Sequence, residues 1–130
     1  MTKAWFFALA ITAATVLAGG PAFAAGDAAK GAKVFNKCKA CHDGAKGAKH
    51  KVGPTLFGIY GRKAGTIEGF NRYKGLVGAD WTWDEAALKE YLKDPIAYTK
   101  KRTGKNSVMT FKLTKDDEVA DVIAYLQTLK

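Results

Sequence analysis

Behind an apolar opening, the hydrophobic positions fall into three helical stripes, with one long stretch between them that has no period. The first stripe predicts a helix over Asp27–Lys37 with Val34 and Phe35 turned inward. From Asp43 to about Gly78 the chain carries nine glycines and little periodicity, which reads as loop. A loop of that length inside a compact domain needs something to wrap around, such as a flat cofactor. Order returns at Thr82-Trp83-Asp84-Glu85, where Thr82 and Glu85 form a capping-box pattern. That helix places Leu88, Tyr91 and Leu92 on one face and ends at Asp94-Pro95. Pro95 then opens a further short helix, with Asp94 as its cap. Lys100 to Val108 read as polar and flexible. The last helix starts at a cap pattern of Thr114 and Asp117 and carries Val119, Val122, Ile123, Leu126 and Leu129 on one stripe. The predicted fold class is all-α, with four to five helices.

The opening itself belongs to something else. Lys3 precedes an apolar run from Ala4 to Ala18, Gly19-Gly20-Pro21 breaks it, and Ala22-Phe23-Ala24 follows. That order of features describes a secretory signal peptide over residues 1–25, cleaved near Ala24/Ala25. Left uncleaved, the run would be a membrane tether, although it is short for a span. Residues 26–130 are then one domain. The whole chain has 21 basic and 12 acidic residues; losing Lys3 leaves 20 against 12, a charge of +8. Such a charge suits solvation, and it also suits electrostatic steering towards an acidic partner. No nucleic-acid motif accompanies it, so nucleic acid is not expected as a partner.

The candidate chemistry sits in five residues, Cys38-Lys39-Ala40-Cys41-His42, which hold both cysteines of the chain. This is the spacing of covalent haem attachment, with the thiols added across porphyrin vinyl groups and the imidazole beside them for the iron. A redox dithiol would expect a βαβ context, which this sequence lacks. Zinc would need four ligands from Cys38, Cys41, His42 and His50, at a spacing that matches no common finger. On the far side of the iron the donors to weigh are His50 and Met109, the latter the only methionine outside residues 1–25. A small haem enzyme or gas sensor would leave that position open.

Further landmarks are Gly53-Pro54-Thr55-Leu56-Phe57-Gly58, Gly61-Arg62, Trp83, Tyr91-Leu92-Lys93-Asp94-Pro95, Met109-Thr110-Phe111 and Ile123-Ala124-Tyr125-Leu126. With the cysteine motif they make the chain resemble the class I cytochromes c, most of all the bacterial c2 and c550 group, over its whole mature region. The resemblance implies the small cytochrome c fold around one haem c, covalent through Cys38 and Cys41. It implies His42 and Met109 as axial ligands, with the Pro54 carbonyl orienting His42. Arg62 and Trp83 match residues near a buried haem propionate, and Tyr91 matches a tyrosine near the methionine sulfur. For the propionate tyrosine the gap-free position is Arg72, and Tyr73 is the candidate beside it. His50 matches a structural histidine that bonds backbone, and Gly31 and Phe35 match the contact of the first helix with Tyr125 and Leu126 of the last.

The implied activity is electron transport by a periplasmic monomer, not an enzyme. Its implied partners are acidic docking surfaces on membrane redox complexes: a quinol–cytochrome c oxidoreductase as donor, and a photosynthetic reaction centre or cytochrome oxidase as acceptor. Lys37, Lys51, Lys100, Lys101, Lys112 and Lys115 are the candidate rim cations for that contact. Val108 stands where the family usually has lysine or glycine, and the segment from Thr99 to Val108 is longer than in the mitochondrial proteins.

Overall fold

The computed structural model describes residues 25–130, so the signal-peptide reading falls, apart from Ala25, outside the described residues. The elements are α1 (Ala28–Val34), a 3-10 turn (Phe35–Lys37), α2 (Glu85–Lys93), α3 (Pro95–Thr103) and α4 (Asp116–Leu126). Among the described residues there is no strand, only an isolated antiparallel bridge between Lys63 and Thr82. The all-α expectation holds.

The first and last helices cross at closest approach. Asp27 caps α1 by accepting from the Ala29 and Lys30 amides, while its own amide donates to Asp121 Oδ1 at 2.7 Å. Gly31 faces α4, and a Cβ there would lie 1.9 Å from the Asp121 carbonyl oxygen. Gly26 meets α4 in the same way, 1.9 Å from the Ala120 oxygen. Only residues without a side chain let the backbones come this close. Phe35 then turns under Tyr125, with ring centroids 5.1 Å apart. Behind this crossing, Val119, Val122, Ile123 and Leu126 bury the α4 stripe against Leu88 and Leu92 of α2.

Three helix ends differ from the sequence reading. α2 is capped by Asp84, whose carboxylate accepts from the Ala87 amide at 2.8 Å, and not by Thr82. Thr82 is taken up by the bridge to Lys63, which keeps it extended and away from the helix end. α3 continues through Lys100 to Thr103, where a flexible segment was expected, and closes on Gly104 in the left-handed region at φ 73°. Its last turn holds Lys100, Lys101 and Arg102, cations that suit the negative end of a helix. α4 starts at Asp116 after Lys115 with no side-chain cap, so Thr114 does not serve as one. Asp116, Asp117 and Glu118 fill the first turn, where the helix dipole favours negative charge.

Asp94 does act as expected, ending α2 and capping α3 through a 3.0 Å bond from the Ala97 amide. Its other carboxylate oxygen meets Lys112 Nζ at 2.6 Å. The Lys112 ammonium, and then the Ala97 N–H, hold the Asp94 carboxyl below its ordinary range. A depressed carboxyl contributes stability above the unfolded-state value, lost as the pH falls through the folded one. The stability gap between wild type and Asp94→Asn, which keeps a cap acceptor but no charge, should therefore exist at neutral pH. It should close as the pH drops below about 4, and urea melts across that range would read it. The exposed site makes the gap small. Gly31→Ala overpacks the helix crossing and should cost about 1–3 kcal/mol, seen as a lower urea midpoint at unchanged slope.

Candidate haem site

The cysteine motif is one continuous turn. The Cys38 amide donates to Phe35 O, and both Cys41 and His42 amides donate back to Cys38 O, at 3.1 and 2.9 Å. The turn presents two thiols and an imidazole together, with both thiols free, Cys38 half-buried and Cys41 exposed. Burial pushes the Cys38 thiol above its ordinary value, against a smaller lowering by Lys37. Attacking cysteines of redox dithiols are shifted the other way. The direction of the shift at Cys38 gives the dithiol reading no support.

A strap of glycine and proline holds the imidazole. His42 Nδ1 donates to the Pro54 carbonyl at 2.7 Å, which leaves Nε2 as the nitrogen with a free lone pair. Burial, more than the Lys51 charge, pulls the His42 pKa below its ordinary value against the opposing Pro54 bond, so the ring is neutral and able to ligate. The strap is stitched to the motif by Gly53 N to Cys41 O (2.8 Å) and Leu56 N to Asp43 O (2.7 Å). Gly53 has no freedom to be anything larger: a Cβ would sit 2.3 Å from His42 Cε1.

His50 is committed elsewhere. Its Nε2–H donates to Glu68 O at 2.8 Å and its Nδ1 accepts from the Thr55 amide at 3.2 Å. With both nitrogens bonded to backbone it ties two loops together and is no rival for the iron. It also gives zinc no fourth ligand, and among the described residues no three His, Cys, Asp or Glu side chains form a metal cluster.

Met109 is half-buried and packs on the same core as Cys38, Leu56 and Tyr73. Its amide donates to Ser107 Oγ at 3.1 Å, and the Tyr91 hydroxyl meets the same oxygen at 3.3 Å. Tyr91 thus reaches the methionine segment through Ser107, a residue that sequence reasoning did not single out. Trp83 and Arg62 are brought together by backbone pairing beside the Lys63–Thr82 bridge, with Trp83 N to Arg62 O at 2.8 Å. Trp83 is buried and lies edge-on to Tyr91 at 4.7 Å, whereas the Arg62 side chain is exposed. Of the two propionate candidates, Tyr73 is half-buried and Arg72 is exposed, so Tyr73 faces the core. Burial raises the Tyr73 phenol above its ordinary value, opposed first by a bond to the Ile67 backbone and then by the Arg62 charge.

A second tryptophan was also missed. Trp81 stands edge-on to Trp83 and Tyr98 at 5.7 and 5.4 Å, with the Arg102 guanidinium 4.9 Å above its ring. Its indole N–H is buried without a protein partner. The six rim lysines divide into two groups. Lys37 pairs with Glu118 at 2.6 Å, Lys115 reaches the same carboxylate at 3.8 Å, and Lys112 pairs with Asp94. Lys51 donates to the Lys39 carbonyl, and Lys100 and Lys101 are exposed on α3.

The donor set fits haem c: two free thiols on one turn, a neutral imidazole oriented from behind, and a thioether packed on the same core. The cytochrome c family model matches residues 28–130. The chain belongs to the cytochrome c family. Cytochrome c2 of Rhodospirillum rubrum is 46% identical over 98% of this chain and 99% of its own. Cytochrome c-550 of Novispirillum itersonii is 50% identical over 81% of this chain and its full length. The structure of cytochrome c2 from Rhodospirillum centenum superposes with a TM-score of 0.75 at 38% identity, covering 80% of this chain and 98% of that one. This cytochrome c is accordingly an electron-transfer protein and not an enzyme, and its haem c is held covalently through Cys38 and Cys41. Substituting Gly53 by alanine drives a methyl into the His42 ring, and the yield of haem-loaded protein should fall on the order of tenfold, measured by haem absorbance per polypeptide.

Proposed function

We propose that this cytochrome c is a periplasmic one-electron carrier whose iron is held by His42 and Met109. Its donor in this reading is a quinol-oxidising membrane complex, and its acceptor a photosynthetic reaction centre or terminal oxidase. The observation that carries the reading is the His42–Pro54 bond, which occupies Nδ1 and leaves Nε2 as the ring nitrogen open to a metal. Met109, packed on the same core and steadied through Ser107, is the donor that supports the second ligand. The bound haem supplies a one-electron iron couple, and thioether ligation raises its potential relative to a bis-histidine site.

The protein's own groups keep reorganisation small. Pro54 holds the His42 ring in one tautomer and orientation, and Ser107 holds the Met109 backbone. Lysines of the rim set would orient an acidic partner, and redox encounters of this kind are small, weak and salt-sensitive. Lys100 and Lys101 have no carboxylate partner among the described residues, so they offer an outside partner more charge than the paired Lys37, Lys112 and Lys115.

The test is an optical spectrum of the haem-loaded protein in both oxidation states, followed by carbon monoxide on the reduced form. A ferric far-red sulfur-to-iron band with no carbon monoxide shift is the expected result. Ready gas binding without that band would replace the carrier by a haem enzyme or sensor with an open iron.

A further inference from the structure

We propose that the turn from Tyr73 to Val77 is a positioning clasp that holds Met109 at the iron through Ser107, with Gly75 as its central residue. The inference rests on the axial role of Met109 proposed above. The turn closes on itself through Leu76 N to Tyr73 O at 2.6 Å and Val77 N to Tyr73 O at 3.1 Å. Gly75, at its tip, is buried against the segment that leads into Met109. A Cβ on Gly75 would lie 2.4 Å from Asn106 O, 2.9 Å from Asn106 C and 3.0 Å from Ser107 Cα. These are backbone atoms, so no side chain can swing away to make room.

Two further bonds bind the same pair of segments. Thr103 Oγ1 lies 2.9 Å from the carbonyls of both Gly75 and Thr99 and shares its proton between them. Lys105 Nζ donates to Val77 O at 3.2 Å. The Arg102–Asp80 pair beside them is exposed and contributes little. Ser107 is where the clasp meets the ligand, because its hydroxyl accepts the Met109 amide and contacts Tyr91. Moving Asn106 and Ser107 outward therefore moves the Met109 backbone, while His42 and its Pro54 partner lie on a different loop.

The experiment uses the haem-loaded ferric protein, with imidazole as the competing ligand and the far-red band as the readout of its displacement. Gly75→Ala should raise imidazole affinity about tenfold and lower the reduction potential. Thr103→Val, which removes the tether without adding bulk, should move both in the same direction by less. Asp27→Ala, at the α1 cap, serves as the control: it should lower the unfolding temperature and leave imidazole affinity unchanged. Wild-type affinity in both clasp variants, or an equal rise in Asp27→Ala, would overturn the clasp. If Gly75→Ala takes up no haem, Thr103→Val decides alone, and unchanged affinity there overturns the proposal. A wild-type spectrum without the far-red band would overturn the Met109 ligation itself, and the clasp with it.

Discussion

The bond from His42 to the Pro54 carbonyl is the constraint on which the rest of the site depends. A histidine next to an attached cysteine could present either ring nitrogen, and free rotation would make the iron's environment variable. Accepting Nδ1–H from behind removes both freedoms at once. The requirement then spreads outward. Pro54 must lie close to the ring, so residue 53 must lack a side chain, and the 53–56 strap must be stitched to Cys41 and Asp43. The glycine-rich stretch that looked structureless is the part of the chain that does this holding.

A second frame supports the rest of the site. The crossing of α1 and α4 backs the attachment turn, while Asp94 joins α2 to α3 and pairs with Lys112, three residues beyond Met109. Aromatic edges from Trp81, Trp83, Tyr91 and Tyr98 fill the space between, each within 6 Å of the next. Aromatic contacts of this geometry are directional as well as apolar, which favours one arrangement over a fluid core.

Much of this was legible in the chain because it is local. Helical stripes, the Asp94-Pro95 junction and the Cys38–His42 motif depend on neighbours within one or two turns. The misreadings also have local competitors. Thr82 and Glu85 fit a capping box, but Asp84 was equally able to cap and Thr82 was drawn into pairing with Lys63. Lys100 to Thr103 lacks an apolar stripe, yet a strong N-terminal cap and a left-handed glycine at Gly104 carry the helix through it. Gly75, Ser107 and Trp81 carried no signal that single-sequence reasoning could use. What defines them is an approach of segments some thirty residues apart in Gly75's case, and an unpaired indole N–H in Trp81's. Tyr73 and Arg72 differ by one position, and only burial tells them apart.

The crossing of the first and last helices also makes the haem motif depend on both ends of the domain. Gly26, Gly31 and Phe35 find their packing partners in Ala120, Asp121 and Tyr125, close to the end of the chain. The attachment motif follows α1 directly, so the turn bearing both thiols leans on residues from the far end of the chain. A contact that spans 94 residues, as between Asp27 and Asp121, has to repay the entropy of closing so long a loop. Loss of α4 would therefore leave the attachment turn without its packing partners even though the Cys38–His42 motif itself were intact.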